Sequence, residues 1–89
     1  MNNDSRSGSS SAAVTELVAI WREVLQDDSL DASSHFEPNG GTSLKAVRIR
    51  ARIRKRLNKD VSLLEIFSQS TPKALAAALN SAPDWSDEE

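Results

Sequence analysis

The residue best placed to do chemistry in this sequence is Ser43, which follows two glycines and opens an apolar-periodic segment. The local sequence is Asn39-Gly40-Gly41-Thr42-Ser43-Leu44. Glycines relax the backbone, and the first turn of a helix offers free backbone N–H groups and the positive end of the helix dipole. The free N–H groups and the positive end of the dipole both favour a phosphate group at that position. The Ser43 hydroxyl is therefore predicted to be either a helix N-cap or the attachment point of a phosphorylated group.

Other chemistries fit this serine poorly. A serine hydrolase is disfavoured because no glycine stands two residues after Ser43, as a nucleophile elbow requires. His35 is the only histidine, so a catalytic triad would depend on one base in a loop. A Walker loop fails because no Gly-Lys-Ser or Gly-Lys-Thr closes the glycine turn. The chain has no cysteine, which excludes a thiolate nucleophile and a Cys-based metal site.

The composition allows one small domain and no large enzyme cleft. The chain has 89 residues, of which 38% are hydrophobic, 27% charged and 4% aromatic, enough for one compact core of aliphatic side chains. No apolar run approaches the roughly 18 residues that span a bilayer, and no signal peptide follows Met1. We therefore expect a soluble, cytoplasmic protein that has no membrane partner.

Basic residues are concentrated in one segment, although the formal net charge is only −2. Residues 43–59 contain eight basic side chains and no acidic one. The rest of the chain has three basic against 13 acidic residues, a net charge of −10. This segregation predicts a charged docking surface. The eight basic residues are Lys45, Arg48, Arg50, Arg52, Arg54, Lys55, Arg56 and Lys59.

Four stretches have helical periodicity, and none alternates for long with the period of a strand. The first runs from Val14 to Leu25 and the second from about Ser43 to Leu57. A shorter segment spans residues 62–67, and the last helix begins at Pro72 with Thr71 as its N-cap. The apolar stripe of the first helix consists of Val14, Leu17, Ile20, Trp21, Val24 and Leu25.

These stretches predict an all-α fold. It is a small bundle of three main helices plus one short helix, with a long loop over residues 26–42 between the first and second helices. Leu30 and Phe36 are the expected anchors of that loop in the core. The predicted domain organisation is a disordered leader over residues 1–11, a folded domain over residues 12–81 and an acidic flexible tail over residues 82–89.

Three motifs follow one another along the chain, one in the first helix, one at the start of the second and one at the start of the last. They are Leu17-Val18-Ala19-Ile20-Trp21-Arg22-Glu23-Val24-Leu25, then His35-Phe36 followed by Gly40-Gly41-Thr42-Ser43-Leu44, and finally Ser70-Thr71-Pro72 followed by Leu75. Together they resemble the first helix, the Phe…Gly-Gly-x-Ser-Leu signature and the start of the last helix of a carrier-protein domain. The resemblance is to the thiolation or peptidyl carrier domains of nonribosomal peptide synthesis. It covers the chain from about Leu17 to Leu79 and favours attachment over capping for Ser43.

This resemblance implies a specific modification. A phosphopantetheinyl transferase would move 4′-phosphopantetheine from coenzyme A onto the hydroxyl of Ser43, with Gly41, Thr42 and Leu44 as the supporting motif. The thiol at the end of that arm would hold an aminoacyl, peptidyl or other acyl group as a thioester, which suits a chain without cysteine. The protein itself would catalyse nothing, and tethering would raise the concentration of the substrate near successive enzymes.

The sequence also departs from the family it resembles. Thr42 stands where Asp or His is usual, and Glu37-Pro38-Asn39 replaces a more apolar stretch. These departures bear on which transferase accepts the protein. Polyketide and fatty-acid carriers typically have Asp-Ser-Leu and an acidic second helix, so the basic run favours the peptidyl type. An acyl carrier protein of the polyketide type is the alternative.

The resemblance implies partner enzymes as well. These are the transferase, an adenylation enzyme that loads the arm, and condensation or tailoring enzymes, which would contact the second helix near the arm. The predicted contact residues are Leu44, Lys45, Val47 and Arg48. The alternative for Leu44 and Val47 is a place in the core, where Ile49 and Ile53 are expected. We expect a free-standing monomer, and a domain of a larger synthetase is the alternative.

A nucleic-acid-binding protein is the competing hypothesis from another class, and an unmodified helical adaptor is a second. Seven basic residues on one helix could neutralise phosphates, and affinity would then fall steeply with salt. Against nucleic acid as a partner stand the acidic chain as a whole and the lack of an aromatic stacking platform or a base-reading signature. No residue in the sequence identifies the cargo.

Overall fold

The computed structural model describes residues 3–84, with side chains from residue 12 onward. Four helices follow one another along the chain: α1 (Asn3–Leu25), α2 (Ser43–Leu57), α3 (Leu63–Ser68) and α4 (Pro72–Leu79). In the described range there is no strand, only one isolated antiparallel bridge between Lys59 and Asp84. The predicted all-α bundle with one short helix and a long loop is confirmed.

Helix α1 supplies the largest share of the core. Its backbone is helical from Asn3, ahead of the predicted start at Val14. The helix stops where Gln26 takes a left-handed conformation with φ of 56°. The side chains of residues 1–11, the predicted leader, lie outside the described part of the chain, and so do residues 85–89 of the predicted tail. The predicted domain limits therefore stay predictions. The residues of α1 buried in the core are Leu17, Ile20, Trp21, Val24 and Leu25.

Helix α2 is bounded by a cap at each end. Thr42 precedes it in an extended conformation, and Asn58 follows it in a left-handed conformation whose N–H donates to the carbonyl of Arg54. Its inward face is Ala46, Ile49 and Ile53, all fully buried. The predicted core positions Ile49 and Ile53 are therefore confirmed.

The two shorter helices are fixed by their first turns, because each is too short to be stable alone. Ser62 and Glu65 form a capping box at the start of α3, which the sequence analysis did not identify. Thr71 Oγ1 accepts from the N–H of Ala74 at 3.1 Å, and Pro72 is the first residue of α4. The predicted N-cap and first residue of α4 are confirmed.

The long loop over residues 26–42 is packed into the bundle. Leu30 and Phe36 are buried, as predicted. The Phe36 ring makes edge contacts with Trp21 and Phe67, with centroids 5.9 and 5.3 Å apart. Backbone hydrogen bonds also tie the loop to the start of α4, including one from the Phe36 N–H to the Ser70 carbonyl at 2.8 Å. The loop therefore delivers its last residues to the start of α2 at a defined place.

Candidate functional site

Ser43 is the first residue of α2 and is exposed to solvent. The N-cap is its neighbour Thr42, whose Oγ1 accepts from the N–H of Lys45 at 3.3 Å and whose carbonyl accepts from the N–H of Ala46 at 2.8 Å. The alternative that Ser43 itself caps the helix is therefore wrong. Among the described residues, nothing forms a hydrogen bond with the Ser43 hydroxyl, which leaves its oxygen available to a reagent.

The start of α2 is electrostatically suited to a phosphate. The N–H groups of Ser43 and Leu44 find no acceptor within the described part of the chain, as is usual for the first turn of a helix. They add to the positive end of the helix dipole, and α2 has no acidic residue in its first turn. A phosphodiester on Ser43 Oγ would therefore lie in a favourable potential.

The two glycines before the site have different structural roles. Gly40 has φ of 98°, a conformation that a side chain disfavours, and its N–H donates to the Glu37 carbonyl at 3.0 Å. Gly41 lies against the ring of Phe36, where a Cβ would stand 2.5 Å from Cδ2. Its N–H also donates to the Phe36 carbonyl at 2.9 Å. The sequence predicts backbone freedom at both glycines but not the close packing of Gly41, because that contact depends on how the loop folds back.

The only histidine of the sequence is hydrogen-bonded to a serine other than Ser43. His35 Nδ1 lies 2.9 Å from Ser70 Oγ, across the junction between the loop and α4. Asn39 Nδ2 donates to the His35 carbonyl at 2.8 Å, which adds to the order of the turn before the glycines. The imidazole is thus engaged with a different hydroxyl, and the arrangement gives no support to a serine hydrolase at Ser43.

The predicted partner residues lie just after the serine. Leu44 is 61% exposed and Val47 is 49% exposed, so the alternative that they belong to the core is wrong. Arg48 is exposed, and Lys45 is half-buried with Nζ close to Gly40. All four predicted contact residues belong to α2 and lie within five residues of Ser43. Their role in partner binding stays a prediction.

Much of the basic segment is neutralised within the bundle. Arg50 pairs with Asp60 at 3.3 Å, and Lys59 pairs with Asp84 at 3.1 Å. Arg52 and Arg56 both reach the carboxylate of Glu23 on α1, and Arg56 also reaches Glu16. The hydrogen bond from Arg56 holds the pKa of Glu23 below its ordinary value and raises the pKa of Arg56. Only part of the charge that the sequence assigned to docking is therefore open to a partner.

Neither a metal centre nor a membrane span is found in the part of the chain that the structure describes. No three His, Asp or Glu side chains there lie close enough to hold a metal ion. No helix there is both long and apolar enough to cross a bilayer.

The fold and the exposed serine at the start of α2 define the class of small helical carrier domains. Residues 15–79 match the family described as "Phosphopantetheine attachment site", and the chain belongs to this family. It is 41% identical over 69 residues to "Bacitracin synthase 3" of Bacillus licheniformis, an alignment that covers 78% of this chain and 1% of that protein. The chain thus spans a very small part of this curated relative.

Solved structures agree with this assignment. The chain superposes with a TM-score of 0.80 on BlmI, a type-II acyl carrier protein of Streptomyces verticillus involved in bleomycin biosynthesis. That match covers 91% of this chain and 96% of the other, and at 22% identity it shows the fold alone. A "Non Ribosomal PCP domain" matches with a TM-score of 0.69 and 28% identity, over 83% of this chain and 91% of that one. The chain is therefore a carrier domain of the phosphopantetheine-attachment family, with 4′-phosphopantetheine as its cofactor, and it is similar to a carrier domain of nonribosomal peptide synthesis.

Proposed function

We propose that Ser43 is the residue to which 4′-phosphopantetheine is attached, by a phosphopantetheinyl transferase that uses coenzyme A. In this step Ser43 Oγ attacks the phosphorus next to the pantetheine, a new P–O bond forms, and the bond to 3′,5′-ADP breaks. The serine proton leaves with the base of the transferase. The observation that carries the proposal is the exposed Ser43 hydroxyl, which Thr42 leaves unpaired by capping α2 in its place.

The chain contributes position rather than catalysis. The arm supplies a thiol that holds an aminoacyl, peptidyl or other acyl group as a thioester. Gly41 sets the position of the helix start against Phe36, and Thr42 fixes the first turn. Leu44, the next residue, presents an apolar side chain beside the attachment point. The departure at position 42 is compatible with this role, because threonine is a good N-cap.

The proposal includes partners and a setting. An adenylation enzyme would load the arm, and condensation or tailoring enzymes would take the cargo onward. We propose that they contact Leu44, Lys45, Val47 and Arg48, whose exposure or closeness to the serine supports this. The carrier would act as a monomer in the cytoplasm, where coenzyme A is available. Tethering would keep the cargo at a millimolar-scale effective concentration, on the order of that for short flexible linkers.

Intact mass spectrometry tests the attachment. Wild type, Ser43→Ala and the control Ser33→Ala are incubated with coenzyme A, Mg²⁺ and a broad-specificity transferase. Ser33 is exposed in the loop, and its side chain has no hydrogen bond in the described range, so it is a matched control. Wild type and Ser33→Ala should each gain one phosphopantetheine, and Ser43→Ala none. A modified Ser43→Ala protein, or an unmodified wild type, would contradict the proposal.

A further inference from the structure

The cations of α2 differ in whether a carboxylate of the bundle balances their charge. Arg50, Arg52 and Arg56 are directed toward the bundle, where Asp60, Glu23 and Glu16 balance them. Arg48 and Lys55 are exposed and form no ion pair with any residue that the structure describes. Arg48 and Lys55 are therefore exposed cations whose charge no described carboxylate balances; Lys45 also lacks an ion pair there but is half-buried near Gly40.

Arg48 and Lys55 belong to one stripe on the helix. Leu44, Arg48, Ala51 and Lys55 follow one another at steps of four, three and four residues, which places them on one side of α2. Val47 lies beside this stripe, and all five side chains are exposed. We name these five residues the outer face of α2. It is opposite the buried residues Ala46, Ile49 and Ile53.

The outer face has an apolar end and two separate charges. Leu44 and Val47 form the apolar end, directly after Ser43. Arg48 and Lys55 are seven residues apart, which corresponds to about 10 Å along the helix axis. The small side chain of Ala51 lies between them, so a partner surface could approach closely at that point. A partner that pairs with both cations must therefore carry two negative charges at about the same distance from each other.

We propose that the outer face of α2 binds a protein surface that carries two carboxylates about 10 Å apart, one for Arg48 and one for Lys55, beside an apolar contact for Leu44 and Val47. The inference rests on the proposed function, because the outer face begins at the residue next to Ser43. The inference specifies the charge of the partner surface, which must be acidic, because a surface with basic residues at those two points would be repelled.

An acidic protein surface fits this face better than a nucleic acid does. A phosphate backbone would leave the exposed Leu44 and Val47 without an apolar partner. The rest of the chain carries a net charge of −10 and would repel a polyanion at long range. A folded partner with local negative charge fits better, because it can place apolar side chains beside its carboxylates and its fewer charges are repelled less by the acidic remainder of the chain.

A pair of synthetic helical peptides tests the proposal. Both present two leucines on one face, and they differ only at two positions seven residues apart, which are Glu in the first peptide and Lys in the second. Binding is followed by titration of backbone amide NMR signals of the full chain. The Glu peptide should shift the signals of residues 44–55 and bind more weakly as salt is raised. The Lys peptide should not shift them.

Charge-reversal variants make the test specific. Arg48→Glu with Lys55→Glu should weaken the Glu peptide by at least about fivefold and make the Lys peptide bind in its place. Lys73→Glu is the matched control, because Lys73 is exposed on α4 and has no ion pair in the described part of the chain; it should leave the affinity unchanged. Arg48→Glu alone should give a smaller loss in the same direction, without altering the C-terminal turn of α2.

Several outcomes would overturn the inference. These are equal binding of both peptides, binding of neither, or an equal loss in Lys73→Glu. Tighter binding of a DNA duplex or of anionic lipid vesicles than of the Glu peptide, with the same loss in the double variant, would assign the face to a polyanion instead. The titration is repeated with Ser43→Ala, which should bind the Glu peptide like wild type. The peptide titration needs no arm on Ser43, and attachment is measured by intact mass. The two proposals can therefore fail independently.

Discussion

Gly41 and Phe36 are in such close contact that a Cβ on Gly41 would stand 2.5 Å from the Cδ2 atom of the Phe36 ring. The same two residues share a backbone hydrogen bond of 2.9 Å. Phe36 is fully buried between Trp21 and Phe67. The turn that presents Ser43 is therefore set directly by the hydrophobic core.

Replacement of Gly41 by alanine should destabilise the protein. The added methyl group must displace a buried ring, and overpacking of this kind costs about 1–3 kcal/mol. Urea denaturation measures the change in the free energy of unfolding. Ser43→Ala, two residues away and exposed, is the control and should be within about 0.5 kcal/mol of wild type. A Gly41→Ala protein as stable as the control would show that Phe36 moves aside at no cost.

Loss of the cap at Thr42 should weaken the start of α2. Thr42→Ala removes the acceptor for the Lys45 N–H and should cost about 1 kcal/mol, whereas Thr42→Asp should keep the cap. Hydrogen exchange of the amides of α2 measures the effect locally. The alanine variant should exchange faster in the first turn of α2, with α4 unchanged. Equal protection in both variants would mean that the Thr42 hydroxyl does not cap the helix.

Acid should remove a contribution to stability that depends on Glu23. The pKa of Glu23 is lowered from its ordinary 4.5, chiefly by the hydrogen bond from Arg56. Its contribution is therefore fully present above that ordinary pKa and is lost as the pH falls through the lower, folded-state pKa. Because the pair is partly exposed, Glu23→Gln should cost only about 0.5 kcal/mol at neutral pH.

The pH test needs a second carboxylate for comparison. Denaturation midpoints measured between neutral pH and acid should fall less steeply for Glu23→Gln than for wild type. Glu37→Gln is the control, since the Glu37 side chain has no ion pair or hydrogen bond among the described residues, and its curve should follow wild type. If Glu23→Gln keeps the full acid dependence, the pair with Arg56 contributes nothing measurable.

Val47 and Ile53 should separate binding from stability on one helix. Val47 is half exposed, so Val47→Ala should change the free energy of unfolding by less than about 0.5 kcal/mol and still slow acyl loading by the cognate adenylation enzyme. Ile53 is fully buried, so Ile53→Ala should cost about 2–5 kcal/mol. Thermal denaturation and loading rates are compared for the two. Normal loading of Val47→Ala would remove Val47 from the proposed contact residues.

Local patterns were sufficient to predict the helices and most of the core. The stripe from Leu17 to Leu25, the threonine and proline at the start of α4, and the loop anchor Phe36 all depend on residue type and spacing. The exposure of Leu44 and Val47 could not be predicted in this way, because an apolar residue in the first turns of a helix fits a core or a surface equally well.

The site was predictable in position but not in its contacts. The glycines and the serine mark the start of a helix, but a one-residue shift decides whether Thr42 or Ser43 is the cap, and helix ends are the least certain part of a sequence-based prediction. The ion pairs of Arg52 and Arg56 with α1 join residues about 30 positions apart, so they appear only when the helices pack. The division of the basic segment into balanced and open charges follows from that packing alone.

With the arm on Ser43, as proposed, the hydrogen bonds that fasten the long loop to α4 would also determine how far a cargo can travel. Because Phe36 and Ala32 are bonded to the backbone of Ser70 and Lys73, the loop that leads to the pivot of the arm is tied to the bundle. The range of the cargo would then be a sphere whose radius is the length of the arm. An enzyme outside that sphere would be reached only if the entire domain swung toward it.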